Sequence, residues 1–414
     1  MFSRYKGALW LGGMLLLSGL LAWCGHAGDA LFARQREDAN RASRAYYELL
    51  DGMGQIENDL MKLSVANTAG QSHPLLGRIA VQAQLAADHL EALPAGQEPR
   101  DETMTFEQLV GDLAASLLGT ETLDDDQRRQ LRTVTEACHA LRERLLAQDL
   151  PEGNTDPRPF LQDEMTVEYP HLIYDGPFSE GHEDGESRGV ENLPQASQEE
   201  MLTAARQYLR GPVSHLGAQA DALACELFAD GEGGTAAVTH KGGRLRWLLR
   251  DREPGEAVLS GGECARKAQE IAASMGFSPM AVSWVQEDAK SVTVSLVAVQ
   301  EGVWLYPDMV KIKLARDNGE LLALDATEYW AHHETRSLDL NTLSRSEITE
   351  RLPDGFQCRE LQRVLAQSHQ AEKLLWQAHG TLDGAEYFIL LDAKSGEGED
   401  IFRVVQTDMG ILVL

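Results

Sequence analysis

What this chain lacks narrows it first. It has no CxxC, and its five cysteines, Cys24, Cys138, Cys225, Cys264 and Cys358, are scattered without paired spacing. That excludes the usual zinc-ligand patterns and a small disulfide scaffold. One or two disulfides stay open on this count, while Cys138 and Cys264, in helical stretches, read as small apolar packing residues. Basic residues are scarce, 37 Lys+Arg against 65 Asp+Glu for a formal charge of −28. Such an imbalance repels nucleic-acid backbones and anionic lipid surfaces and draws a basic partner. HExxH and a phosphate-binding glycine loop ending in Lys-Ser/Thr are both missing, so metalloprotease and nucleotide chemistry have no support in the sequence.

What is present begins with an apolar run. Arg4 and Lys6 precede Ala8–Cys24, which carries no charge; that layout suits an export signal or a single membrane span with its basic end inside. An uncleaved anchor over residues 1–28 is the expectation, with Gly25-His26-Ala27 as the small-x-small site where cleavage would fall instead. Trp23 is too bulky for a lipoprotein box at Cys24. Either way the bulk of the chain lies outside the cytoplasm.

At 414 residues the chain is long enough for about three domains. Residues 29–150 show helical spacing: Leu49, Leu50, Met53, Ile56, Leu60 and Leu63 in one segment, and Leu131, Val134, Ala137, Cys138, Leu141 and Leu145 in another. Two more helices are expected at Leu75–Leu93 and Phe106–Leu118. His73-Pro74 would precede the first of these, Pro94-Ala95-Gly96 would end it, and Asp124-Asp125-Asp126 would start the last helix. Four helices with short connections predict an antiparallel bundle.

Residues 151–196 form an acidic connector rich in Pro and Gly. Within it Tyr169-Pro170-His171-Leu172-Ile173-Tyr174-Asp175-Gly176-Pro177-Phe178 can be neither helix nor central strand, because each proline lacks a donor and biases its predecessor to an extended form. Tyr169, Pro170, Tyr174, Asp175, Gly176, Pro177 and Phe178 are the candidate hinge residues: aromatic anchors around an Asp-Gly-Pro turn. His182, Glu183 and Asp184 read as a solvated loop rather than a metal site, and Glu180–Ser197 is the first place to expect proteolysis.

After Pro194 a helix-plus-strands unit recurs at residues 197–258, 259–335 and 340–414. The first has a helix at Gln198–Leu209 and strands at Leu223–Phe228, Ala236–Thr239 and Leu245–Leu249. The second has Gly261–Met275 as helix and Ala281–Gln286, Val292–Val299, Met309–Leu314 and Leu321–Glu328 as strands. The third has a helix at Ser344–Leu352, capped by Ser344 with Glu347, then strands at Glu360–Ala366, Lys373–Ala378, Tyr387–Leu391 and Ile401–Val405. Gly243, Gly319 and Gly396 hold like positions at the turns, where a positive φ suits glycine. An all-α bundle after a membrane segment and an α+β half of three helix-on-antiparallel-sheet units is the expected fold class, the units self-contained but packed on one another.

This unit resembles the PepSY domain of protease propeptides and exported bacterial proteins. Tyr169–Phe178, then Gly302-Val303-Trp304-Leu305-Tyr306-Pro307-Asp308 with Lys311–Ala315 and Asp317-Asn318-Gly319-Glu320, and Tyr387–Gly396 with Thr407-Asp408-Met409-Gly410, together resemble the YpeB family of spore germination proteins. Met409, where a polar turn residue would be expected, is a departure from the pattern. The resemblance implies a non-enzymatic protein anchored at the inner spore membrane, facing the cortex, that holds and inhibits a cortex-lytic enzyme of SleB type until germination. It implies no cofactor and no metal.

Other classes remain in view. A membrane-anchored sensor or peptidoglycan-binding protein would use sheet edges or pockets, and a wall hydrolase would need two carboxylates at the right separation. Ala331-His332-His333-Glu334 is the nearest approach to a metal cluster, but on an extended segment its adjacent histidines would point to opposite faces. Tyr46, Tyr47 and His89 read as surface or edge packing.

Overall fold

The computed structural model describes residues 41–92, 98–118, 120, 123–147, 187–368, 371–407 and 410–413. It divides into two compact units, Met1–Ser64 with His73–Thr166 and Val65–Ser72 with Val167–Leu414. The apolar run 8–24, the hinge Tyr169–Phe178, and His182, Glu183 and Asp184 all lie outside the described residues. Among the described residues no helix is long and apolar enough to cross a membrane.

The first unit is helical. Helix α1 covers 41–65, followed by α2 (Ala69–Ala92), α3 (Glu98–Leu117) and α4 (Asp125–Leu146). Their apolar stripes meet in one core of Leu49, Met53, Ile56 and Leu60 from α1, Leu76 and Ile79 from α2, Val110 and Ala114 from α3, and Leu131 and Leu141 from α4. Arg78 pairs with Asp59 and His89 with Glu48, which sets α2 antiparallel to α1. Tyr46 donates its hydroxyl to the Leu145 carbonyl and Arg128 bonds the Ser64 carbonyl, which sets α4 antiparallel to α1 as well. Tyr46 is therefore core rather than surface, and Tyr47 stays exposed. The expected break at His73-Pro74 is a correction: α2 begins at Ala69 and carries Pro74 inside its second turn, giving up one bond of the helical ladder there. Asp124 caps α4 through a reciprocal bond with Gln127.

The second unit opens with a single turn, α5 (Arg188–Glu191), then α6 (Gln198–Arg206), β1 (Val213–Gln219), β2 (Cys225–Asp230), β3 (Gly234–Thr239) and β4 (Leu245–Arg250). Next come α7 (Gly261–Ser274), β5 (Met280–Glu287), β6 (Ser291–Gln300), β7 (Val303–Ala315), β8 (Leu321–Asp325) and α8 (Thr327–His332). The chain finishes with α9 (Arg345–Thr349), β9 (Gln357–Ser368), β10 (Ala371–Leu382), β11 (Ala385–Asp392), β12 (Gly398–Thr407) and β13 (Gly410–Val413).

These strands form one sheet rather than three separate ones. Its order is β1-β2-β3-β4-β8-β7-β9-β10-β11-β12-β13, with β6 also on β7 and β5 on β6. The expectation of self-contained units is corrected accordingly: β4 pairs antiparallel with β8, Leu248 facing Leu324, and β7 pairs parallel with β9 through Trp304–Val364 and Leu305–Leu365. The physical reason is the edge problem, since each small sheet would otherwise leave donors and acceptors bare at its rim. β6 is buried along nearly its whole length. The main core lies under α6 and α7, with Phe228, Ala268, Leu296 and Ile312 at its heart; a second cluster of Val297, Tyr306, Met309, Val364 and Leu375 joins the middle and last units.

The strand expected at Leu321–Glu328 stops at Asp325, whose carboxylate takes the Thr327 N–H and turns the chain into α8. His332 thus sits in a helical turn and His333 caps it, not on an extended segment. β1 and β13 answer to no expected strand.

Candidate functional site

The three repeats share a device that pins helix to hairpin. Each helix starts with a Ser-x-x-Glu capping box: Ser197 with Glu200, Ser260 with Glu263, Ser344 with Glu347. The residue before each serine donates its N–H to the carbonyl three places before the turn glycine: Ala196 to His240 at 2.8 Å, Leu259 to Arg316 at 2.8 Å, Leu343 to Ala393 at 2.9 Å. Each turn closes the same way, from Thr239 N–H to Arg244, Ala315 to Glu320, and Asp392 to Glu397. Gly243, Gly319 and Gly396 have φ of 58°, 72° and 71°, the left-handed region that a Cβ disfavours. Lys267 of α7 bonds the Asn318 carbonyl and Arg351 bonds the Ser395 carbonyl, so a basic side chain covers the turn in the second and third repeats.

The joints between repeats are the most specialised ground in the second unit. In β7, Ala298 faces Leu305 while the neighbouring Val297 faces Met309, so Tyr306-Pro307-Asp308 bulge out of the ladder, as Pro307 without a donor requires. The bulge aims two polar side chains at the third repeat and its linker. Tyr306 donates its hydroxyl to Oε1 of Gln377 at 2.8 Å, and burial pushes its pKa up. Asp308 is completely buried. Its carboxylate meets Nδ1 of His333 at 2.6 Å and Nη1 of Arg336 at 2.9 Å. Arg336 in turn grips Glu372 of β10 through Nε at 2.9 Å and Nη2 at 2.8 Å, a forked pair. Burial alone would raise the Glu372 carboxyl; the bond to Arg336 outweighs it and holds the pKa low. His333 stacks on Tyr329 with centroids 4.2 Å apart. The sequence Gly302–Asp308 is thus the seam between repeats, and His333 belongs to it as the ion-pair partner of Asp308, whereas His332 pairs with Glu328 and Glu334 with Arg188. Among the described residues no group of His, Cys, Asp and Glu could hold a metal.

A strap closes the other joint. Gly189 lies so close to α8 that a Cβ would meet the Trp330 carbonyl at 2.8 Å, Val190 is buried against Ala331 and Leu223, and Arg188 pairs with Glu334. Gly242 donates to the Pro194 carbonyl. The chain from Ser187 onward is fastened, which removes its part of Glu180–Ser197 from the expected cleavage zone. Gly185-Glu186-Ser187-Arg188-Gly189 fits the G-x-S-x-G spacing in letters. Ser187, however, heads a single helical turn without a side-chain cap bond, and the spacing alone builds no nucleophile.

The remaining titratable groups also close on themselves. Glu226 accepts from His215 and His240 at 2.5 and 2.9 Å. Cys138, Cys225, Cys264 and Cys358 are free thiols, so no disulfide joins the described cysteines, and burial pushes up the thiol of Cys138. In the helical unit Glu107 is buried without a hydrogen-bond partner for either oxygen, and burial pushes its pKa up to about 8. Sequence reasoning missed Glu107 although the 3.6 period places it one residue from Phe106, inside the stripe.

Helix-fronted sheets in series, stitched edge to edge through β4–β8 and β7–β9, define a scaffold built from PepSY modules in a chain that also carries a helical region. Two family descriptions match, "YpeB N-terminal" over residues 33–150 and "YpeB sporulation, PepSY1 and PepSY2 domains" over residues 160–339. The chain belongs to the YpeB family of sporulation proteins. A "Sporulation protein YpeB" of Halalkalibacterium halodurans is 24% identical over 407 residues, covering 89% of this chain and 91% of the relative. One of Bacillus subtilis is 24% identical over 171 residues, 40% of this chain and 38% of the relative. The solved "Bacillus megaterium YpeB C-terminal domain" is 20% identical, with a TM-score of 0.46 over 50% of this chain and 98% of that one.

Proposed function

We propose that this chain is a non-catalytic holding protein of the dormant spore, which keeps a cortex-lytic hydrolase of SleB type stable and inactive until germination. It would be anchored at the inner spore membrane through residues 8–24, facing the cortex. Membership in a sporulation family carries the reading. The chemistry of the joints supports it: Asp308, Glu372 and Glu226 are each spent on arginine or histidine, so none of these carboxylates is left poised as a general acid beside a second one. A long rigid sheet with an acidic excess suits a protein that grips another protein.

The test is a deletion strain. Dormant spores without this protein should contain little of the hydrolase; normal amounts would sink the proposal. The purified protein incubated with cortex should release no muropeptides, and binding to cortex fragments in the absence of hydrolase would favour a wall-binding role instead.

A further inference from the structure

The third repeat carries two guanidinium groups that no ion pair uses. Trp376 of β10 is nearly buried, and its Nε1 donates to the Leu343 carbonyl at 3.1 Å, which fixes the ring. Arg345, at the start of α9, and Arg363, opposite Trp376 in the β9–β10 register, each place Cζ 5.9 Å from the centre of that one indole. Arg345 is exposed and Arg363 half-buried. Among the described residues neither has a carboxylate within ion-pair distance; Arg206, Arg244, Arg351 and Arg403 form no ion pair either, but Arg345 and Arg363 are the two brought to one ring.

We propose that Arg345 and Arg363, held over Trp376, are a docking site for carboxylate side chains in an acidic segment of a protein partner. A guanidinium lying on an aromatic face keeps its N–H edge free, and that edge matches a carboxylate in forked geometry. Stacking also pre-orders both side chains, so less rotamer freedom is lost on binding. Two cations over one ring repel each other, and a bound anion relieves that repulsion. Two unpaired arginines brought to one ring concentrate positive charge in a chain with 65 acidic residues against 37 basic ones, and mark a place for negative charge to arrive from outside. With Arg345 exposed and Arg363 half-buried the pair is open to solvent; a free small anion needs enclosure, whereas a side chain presented by a protein does not. The inference does not rest on the holding role proposed above.

Labelled hexaglutamate is the probe, titrated with the full-length chain at low salt and read by fluorescence anisotropy. Wild type should bind it despite the net negative charge, and R345Q/R363Q should weaken binding about tenfold or more, since bonds between charged groups are the strong ones. R345K/R363K keeps the charge but not the fork and should fall between. R266Q, which removes an exposed arginine paired with Glu270 on α7, should change nothing. No binding by wild type up to about 1 mM, where the interaction would be worth only about 4 kcal/mol, overturns the proposal. Equal affinity in R345Q/R363Q or an equal loss in R266Q would also overturn it, as would displacement by inorganic phosphate at lower concentration than by free glutamate.

Discussion

Tyr306 and Gln377 meet across the seam between the second and third repeats, hydroxyl to amide oxygen at 2.8 Å, both buried. The bond exists because Tyr306 sits in a bulge that lifts it off β6 and points it at β10. Removing one partner should therefore cost more than the bond itself.

Tyr306→Phe is expected to destabilise the second unit by about 1–3 kcal/mol, the desolvation left on Gln377. Urea unfolding should show the loss, and Tyr306→Phe with Gln377→Met should recover part of it. An unchanged midpoint in the single variant would mean that water already serves the amide.

Asp308→Ala should be harsher. It removes one of the two carboxylates that hold Arg336, whose side chain is only 6% exposed, and the only one that meets His333; breaking one side of a buried pair costs about 3–5 kcal/mol, and the surviving Glu372 pair places the loss at the low end. Protease digestion should then release the third repeat before the second. Glu372→Gln, at the more exposed end of the network, should be milder.

Glu107 makes the helical unit sensitive to pH. Its folded pKa of about 8 stands above the ordinary 4.5, so the folded state holds the proton more tightly. Stability is full below pH 4.5 and falls as pH rises towards 8 and above, by several kcal/mol at most on linkage. Glu57, Arg142 and Cys138 lie close enough to interact electrostatically in the same neighbourhood. Melting of the helical signal should move to lower temperature between pH 5 and pH 8.5, and Glu107→Gln should flatten that slope. An equal slope in the variant would place the sensitivity elsewhere.

The turn glycines should rank. Alanine at Gly243 meets only Ala196 at 3.4 Å and pays the left-handed backbone penalty of about 1–2 kcal/mol. Alanine at Gly319 also meets Lys267 Cδ at 2.8 Å and Leu259 at 3.0 Å, and at Gly396 Arg351 Cδ at 2.7 Å, so the helix-to-turn bond must give way as well. Thermal melts should show G319A and G396A losing more than G243A.

Much of this architecture is legible in the letters. Alternation shows β6 and β11, the three-and-four spacing shows α1, α4 and α7, and Asn318-Gly319 announces its hairpin. What hides does so for physical reasons. β1 is half solvent-facing, with Gly217 at its bulge, so it carries no apolar alternation. β7 is interrupted by Tyr306-Pro307-Asp308, so only Met309–Leu314 reads as strand. Thr327–His332 follows a strand without glycine or proline to mark the change, and only the Asp325 bond to Thr327 turns it. The capping boxes at Ser197 and Ser260 share the Ser-x-x-Glu spacing of the one at Ser344, and aligning the three serines would have shown the repeat register outright. The edge pairings β4–β8 and β7–β9 have no local signal, because which rims meet is decided by the packing of whole units.

The shared strand β7 carries a rule of composition. A chain of independent modules can be lengthened or shortened at will, as beads on a string. Here the second module lends its longest strand to the third, so cutting after residue 339 would bare the Trp304–Leu305 edge and take Gln377 from Tyr306 and Glu372 from Arg336 together. The three caps and turns follow one geometry, but the modules are interdependent, and their number is locked by the strand that two of them use.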